Sequence, residues 1–140
     1  KKQINKPKKV YCIDPGLLNA VSFRFSDDLG RLYENIVFIQ LLRSGEEIYY
    51  WHDKKGLEVD FITKQGLHPT SLIQVSIDIS DPDTKQREIQ GLLSAMDHFG
   101  FQEGTIVTAD LFDREDVNGK TINYVPLWYW LLETDSSKHI

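Results

Sequence analysis

The hydrophobic and polar positions change period several times along the chain. Val10-Tyr11-Cys12-Ile13 is a short β-prone run, stopped by the turn signal Asp14-Pro15-Gly16. Ser26-Asp27-Asp28 offers a helix cap. After it, Leu29, Leu32, Tyr33, Ile36, Val37, Ile39, Gln40, Leu41 and Leu42 follow a helical stripe closed by Ser44-Gly45. Glu47 to Trp51 reads as a strand, Asp53-Lys54-Lys55-Gly56 as a hairpin turn, and Leu57 to Thr63 as a second strand. Gln65-Gly66 breaks it, and Ser71 to Ile79 reads as a third. The period then lengthens. Asp81-Pro82-Asp83-Thr84 starts a helix with Thr84 as cap candidate, and Ile89, Leu92, Leu93, Met96 and Phe99 give it an apolar face that ends at Gly100. Gly104 to Thr108 is a buried-looking strand. Asp110 to Lys120 reads as a polar loop with an Asn118-Gly119 turn. Ile122 to Val125 is a further strand, and Pro126 to Leu132 an aromatic-rich terminal segment.

From Asp28 the predicted order is helix, strand, strand, strand, helix, strand. That order describes a mixed α/β layer domain with helices packed on a sheet. A doubly wound dinucleotide domain would alternate strand and helix strictly. The chain also carries no Gly-rich phosphate loop, so this segment has no ATPase site of its own.

Length and composition narrow the picture. The 140 residues suit one domain, and 41% apolar with 26% charged residues is ordinary globular composition. No apolar run approaches the roughly 20 residues of a membrane helix, so no membrane partner is expected. The single cysteine, Cys12, rules out an internal disulfide and a Cys-based zinc site, and suggests a reducing, cytoplasmic setting. The chain opens on Lys rather than Met, from which we expect a fragment or a processed product. Five of its 16 basic residues lie in the first nine positions. We therefore expect residues 1–9 to be a basic, solvated linker from an upstream region, residues 10–134 one domain, and 135–140 a tail. From Val10 onward 11 basic residues face 21 acidic ones, a net −10. Such a body is not a general phosphate-binding surface, so any contact with DNA needs a local site, a metal or an attached partner.

The most informative segment for chemistry is Gly56-Leu57-Glu58-Val59-Asp60-Phe61-Ile62. Strict strand alternation points Glu58 and Asp60 together, with Val59 and Phe61 on the other face. A mid-strand carboxylate pair is costly unless neutralised, and Mg²⁺ or Mn²⁺ with hard oxygen ligands would do so. The alternative is a strand with one wet face. Gln74, Ser76 and Asp78 alternate in the same way, and Glu34 on the preceding helix can reach the same region. Arg87-Glu88 reads either as a surface salt bridge or as part of that site. Asp78, Asp81 and Asp83 suit turn and cap roles better than calcium binding. Adjacent aromatics at 49–51 and 128–130 divide between core packing and a domain interface.

The chain resembles the C-terminal domain of a group of prokaryotic AAA-type ATPases, the domain of unknown function numbered 4143 (DUF4143). That family is placed in the PD-(D/E)xK, restriction-endonuclease-like superfamily. The resemblance rests on an ordered set of stretches spanning roughly residues 5 to 133: Lys8-Lys9-Val10-Tyr11 with Ile13-Asp14-Pro15-Gly16-Leu17; Gly30-Arg31-Leu32-Tyr33-Glu34-Asn35 with Leu41 and Arg43; Tyr49-Tyr50-Trp51 with Gly56 and Glu58-Val59-Asp60-Phe61; Leu72-Ile73-Gln74-Val75-Ser76; Thr84 with Arg87-Glu88; and Ile106-Val107-Thr108. It implies a restriction-endonuclease-like mixed sheet flanked by helices. It further implies that Glu34 is the helix carboxylate near a metal and Asp60 the central ligand. Position 74 is then the second strand ligand, and position 76 the lysine that positions the attacking water.

The chain departs from that pattern at 74 and 76. Gln74 offers an amide oxygen without charge, and the Ser76 hydroxyl neither supplies positive charge nor serves readily as a base. Glu34, Glu58 and Asp60 remain as an acidic set for Mg²⁺ or Mn²⁺, and Arg87 or Lys85 is the candidate to replace the lysine. Arg87 can stabilise phosphate charge but is a poor base. The expectation is a nuclease-fold domain with a degenerate site, joined to an upstream ATPase domain and serving a docking or nucleic-acid role. The alternative is an active Mg²⁺- or Mn²⁺-dependent DNA endonuclease or exonuclease.

Overall fold

The computed structural model describes residues 9–14 and 26–136. Ser26–Arg43 forms helix α1, Glu47–His52 strand β1, Glu58–Gln65 β2, His68–Val75 β3, Pro82–Phe99 α2, Glu103–Thr108 β4, Asp113–Val117 β5, Lys120–Pro126 β6 and Leu127–Ser136 α3. The six strands make one sheet in the order β1-β2-β3-β4-β6-β5. β1, β2 and β3 are an antiparallel meander. β3 to β4 is a parallel step through α2, β6 runs parallel to β4, and β5 closes the far edge antiparallel to β6.

Two cores lie on opposite faces of this sheet. On one, Leu92, Ala95 and Met96 of α2 meet Val59, Ile62, Leu72, Ile106 and Tyr124. On the other, Val37 and Leu41 of α1 and Leu127 and Trp130 of α3 meet Phe61, Ile73 and Val107. The molecule is therefore an α/β/α sandwich, with the helix–strand–strand–strand–helix–strand order expected from periodicity. Covering both faces is why β2 is buried continuously from Val59 to Thr63. α2 approaches the sheet closely at Gly91, where a Cβ would collide with the Glu58 carbonyl oxygen. Among the described residues no helix is long and apolar enough to cross a membrane.

Several expectations need correction. The β-prone residues 10–13 form no strand: the Cys12 N–H and C=O, groups that would pair in a ladder, are taken by the Asn35 side chain. The segment expected to be a polar loop contains β5. Its charged Asp-Arg-Glu-Asp sequence suits an edge strand, and Asn118 and Gly119, both at positive φ, make the two-residue turn into β6. β3 begins and ends earlier than Ser71 to Ile79 suggests. The aromatic terminal segment is helix α3, with Trp130 buried and Trp128 exposed. Asp81, not Thr84, caps α2: its carboxylate accepts from the Thr84 N–H at 2.8 Å. Asp78 likewise serves a turn, accepting from Ser80 N–H. The cap expected of Ser26-Asp27-Asp28 rests on side chains outside the described residues. So do Pro15 and Gly16, residues 1–8 of the expected linker, and residues 137–140 of the expected tail.

The most consequential difference is a β-bulge. The β1–β2 register shifts between Tyr49 and Trp51, so that Asp60 and Phe61 together face the position of Tyr50. The extra residue reverses the alternation, and Val59 and Phe61 enter opposite cores. Period-two reasoning puts them on the same face and misses this. The bulge also takes the Asp60 N–H off the ladder beside the candidate site.

Candidate functional site

The site begins where β2 and β3 part company. Their ladder ends at Phe61 opposite Ile73. One residue further on, side chains replace the missing backbone pairing. The Asp60 carboxylate accepts from the Val75 N–H at 2.8 Å, and the Gln74 amide oxygen accepts from the Asp60 N–H at 3.0 Å. This reciprocal clasp satisfies buried backbone donors that the bulge and the parting strands leave open. It gives Gln74 a structural task, since its other end donates from Nε2 to the Glu88 carboxylate on α2. Glu88 also accepts from Arg87 Nη2 at 2.9 Å.

On the α1 side of the cleft stands a cation that the sequence reading assigns elsewhere. Lys9 Nζ lies 2.5 Å from Asp60 Oδ1 and 3.0 Å from Glu34 Oε1. Tyr11 donates its hydroxyl to the same Glu34 oxygen at 2.8 Å and stacks on Phe38 at 4.2 Å between ring centroids. Asn35, itself buried, holds the adjoining backbone from both sides. Its Oδ1 accepts from Cys12 N–H at 2.6 Å and its Nδ2 donates to Cys12 O at 2.7 Å. Lys9, counted with the solvated linker, is thus a half-buried member of the site.

Burial raises the Asp60 carboxyl to about 6, against the pull of Lys9 and with a push from Glu34. Burial alone would depress the Lys9 ammonium, but Asp60 and Glu34 outweigh it and hold Lys9 above its ordinary value. Burial and then Glu34 keep the Tyr11 phenol well above the usual range. The Tyr50 phenol is pushed up to about 12 by burial and by its bond to Glu58.

All six residues expected from the sequence come together. Glu34, Glu58, Asp60, Gln74, Ser76 and Arg87 line one cavity of about 390 Å³, with Glu88. Their partners differ from expectation. Glu58 accepts from the Tyr50 hydroxyl. The Arg87 guanidinium is largely exposed and pairs with Glu88, a buried carboxylate that also lines the cavity. Lys85 does not replace the missing lysine, because its ammonium is 2.7 Å from Glu115 on β5. Ser76 is buried and gives its N–H to Val107 O.

A divalent ion does not fit this arrangement. Asp60 Oδ1 and Glu34 Oε1 are already bonded to an ammonium, Glu58 is turned to Tyr50, and position 74 carries an amide. Among the described residues no group of three or more His, Cys, Asp and Glu is arranged to hold a metal. Sequence reasoning missed Lys9, Tyr11, Asn35 and Tyr50 as participants. Their signal lay in the Lys8-Lys9-Val10-Tyr11, Glu34-Asn35 and Tyr49-Tyr50-Trp51 stretches of the resemblance, but not in any local spacing.

Comparisons with known proteins add the following. The family model "Domain of unknown function (DUF4143)" matches residues 29–130, more than half of the chain. An uncharacterized protein of Methanocaldococcus jannaschii, MJ1544, is 33% identical over 133 residues, an alignment that covers 89% of this chain and 29% of that protein. The chain therefore spans less than a third of the length of the curated relative it matches. A chain of a solved half-complex, from a tetradecameric assembly of Thermococcus gammatolerans McrB AAA+ hexamers with bound McrC, superposes with a TM-score of 0.52 at 12% identity. That match covers 71% of this chain and 28% of that one, and at such identity the likeness is one of fold.

Proposed function

The chain belongs to the DUF4143 family, and from that premise we propose that it is a nuclease-fold domain with a degenerate site, which docks within a larger AAA-type ATPase assembly. Support for the ATPase setting comes from the fold shared with a chain of the McrB–McrC complex, and from the much greater length of the MJ1544 relative. The proposal that catalysis is lost rests on one observation. The Lys9 ammonium is bonded to both Asp60 and Glu34, the two carboxylates that the PD-(D/E)xK pattern would give to a metal. A covalently tethered cation here neutralises the buried carboxylate from within. Gln74 and Ser76 reinforce the reading, since neither supplies charge to the cleft. The acidic body favours a protein partner over nucleic acid.

An active Mg²⁺- or Mn²⁺-dependent nuclease is the competing reading, and the convergence of all six expected residues on one cavity favours it. A cleavage assay separates the two. Linear and supercoiled DNA are incubated with Mg²⁺ or Mn²⁺ and either the wild-type chain or Asp60→Asn. Degenerate chemistry predicts equal background from both proteins. Cleavage by the wild type that disappears in Asp60→Asn would establish the enzyme instead.

A further inference from the structure

Exposed hydrophobic side chains are unevenly spread over the two helical faces of the sandwich. Among the described residues α2 exposes no large hydrophobic side chain, whereas α3 exposes Trp128 and Leu132 one turn apart. The Tyr129 ring meets Phe112 edge-on at 4.9 Å and Trp128 edge-on at 5.7 Å, so an apolar row runs unbroken from the β4–β5 loop onto α3. Single exposed hydrophobic residues are ordinary, but a continuous row of them is the usual signature of a binding surface. Beside the row opens a cavity of about 690 Å³, with Phe112, Tyr129 and Trp130 as its aromatic side and Thr105 and Asn123, on β4 and β6, as its polar side. Its origin is the end of the helical layer. Among the described residues the core on this face takes no side chain from β5, so the outer end of the sheet has no helix packed over it.

The surroundings of the row are acidic. Of the described residues that line the cavity, Asp113 and Glu133 are acidic and Arg114 alone is basic. Asp116 shares the strand face of Arg114, and Glu103 is joined to the cavity through its bond from Asn123 at 3.2 Å. Among the described residues no ion pair takes in Glu103, Asp113 or Asp116. A second copy of this chain would set the same carboxylates against themselves across a two-fold axis, and nucleic acid would add more negative charge. A protein segment carrying Lys or Arg around apolar side chains complements both features. We propose that the β5–α3 corner is the surface by which this domain docks, and that its occupant is a basic amphipathic segment of a protein partner. Apolar side chains of the segment lie on Phe112, Tyr129 and Trp128, and its cationic groups reach Asp113, Asp116 and Glu103. The proposal rests on the reading of the chain as a docking domain, not on the state of the cleft, and names the surface and the chemistry of the partner.

The probe is a fluorescently labelled synthetic helical peptide with Leu on one face and Lys on the other. Its anisotropy would be titrated with the wild type, Phe112→Ser, Asp116→Lys and Asp83→Lys at physiological salt. All three substituted positions are exposed, and circular dichroism would first establish that each protein is folded. Asp83→Lys makes the same change of net charge as Asp116→Lys, but on α2. The proposal predicts that the peptide binds the wild type, and that Phe112→Ser and Asp116→Lys each weaken it at least about fivefold. Asp83→Lys changes it by less than about twofold, and a Leu/Glu peptide of the same pattern does not bind. No binding by the wild type, binding unchanged in Phe112→Ser, or equal weakening by Asp116→Lys and Asp83→Lys overturns the proposal. So does self-association of the wild type in sedimentation velocity that Phe112→Ser abolishes, because the occupant is then a second copy. Asp60-dependent DNA cleavage together with corner-specific peptide binding would overturn the degenerate reading and leave this surface standing, so the two failures are distinct.

Discussion

At the scale of single residues, Gln74 shows how one buried amide can join two elements. Its amide does two things that a carboxylate cannot combine. The oxygen accepts from the Asp60 N–H, while the nitrogen donates to Glu88. Gln74→Glu removes that donor and sets two buried acids against each other, with Asp60 close by. We expect a loss of about 1–3 kcal/mol, of the size found for unsatisfied or repelling buried groups. Glu88→Gln in the same chain restores a donor, so a double-mutant cycle in urea should return part of the loss. Additive losses would show that residues 74 and 88 do not act as a pair. The amide at 74 is visible in the sequence, but its task is not. It depends on a bulge and on Glu88, 14 residues away in another element. Lys9 is harder still to read, because its partner Asp60 lies 51 positions along the chain.

At the scale of elements, the helices were legible because their stripes and stops are local. α2 carries its cap, its apolar face and its terminating Gly100 within one continuous stretch. The Asn118-Gly119 turn was legible for the same reason, while β5 was concealed by its charges. The bulge in β2 has no local signature at all, and it decides which way Asp60 and Phe61 face. α2 lies directly over the start of that strand, through Gly91. Gly91→Ala would normally stabilise a helix interior by up to about 1 kcal/mol. Here the new methyl meets the Glu58 carbonyl, so the helix or the strand must shift. We expect a net loss of about 1–3 kcal/mol in denaturant unfolding. A variant as stable as the wild type would mean that α2 does not press on β2 at this point.

At the scale of the whole molecule, two surface regions differ in character. At the acidic cleft the Lys9 ammonium sits between Asp60 and Glu34. Across the sheet, Phe112, Trp128 and Leu132 are each about 60% exposed around the β5–α3 corner, and Phe112 meets Tyr129 edge-on at 4.9 Å. The terminal tryptophans thus divide as the sequence reading allowed, Trp130 into the core and Trp128 onto the surface. The order and layering of the fold were legible because hydrophobic period encodes them. The state of the site was not, because it is set by contacts between distant segments. That state is the central claim, and calorimetric titration with Mn²⁺, in the presence of a short DNA duplex, tests it most directly. Wild type, Lys9→Met and Lys9→Met/Asp60→Asn would be compared after their folds are verified. If the Lys9 ammonium occupies the cation position, Lys9→Met binds Mn²⁺ at least about tenfold more tightly than the wild type, a difference of about 1.4 kcal/mol, and the second substitution abolishes the gain. Wild-type binding as tight as that of Lys9→Met would contradict the account.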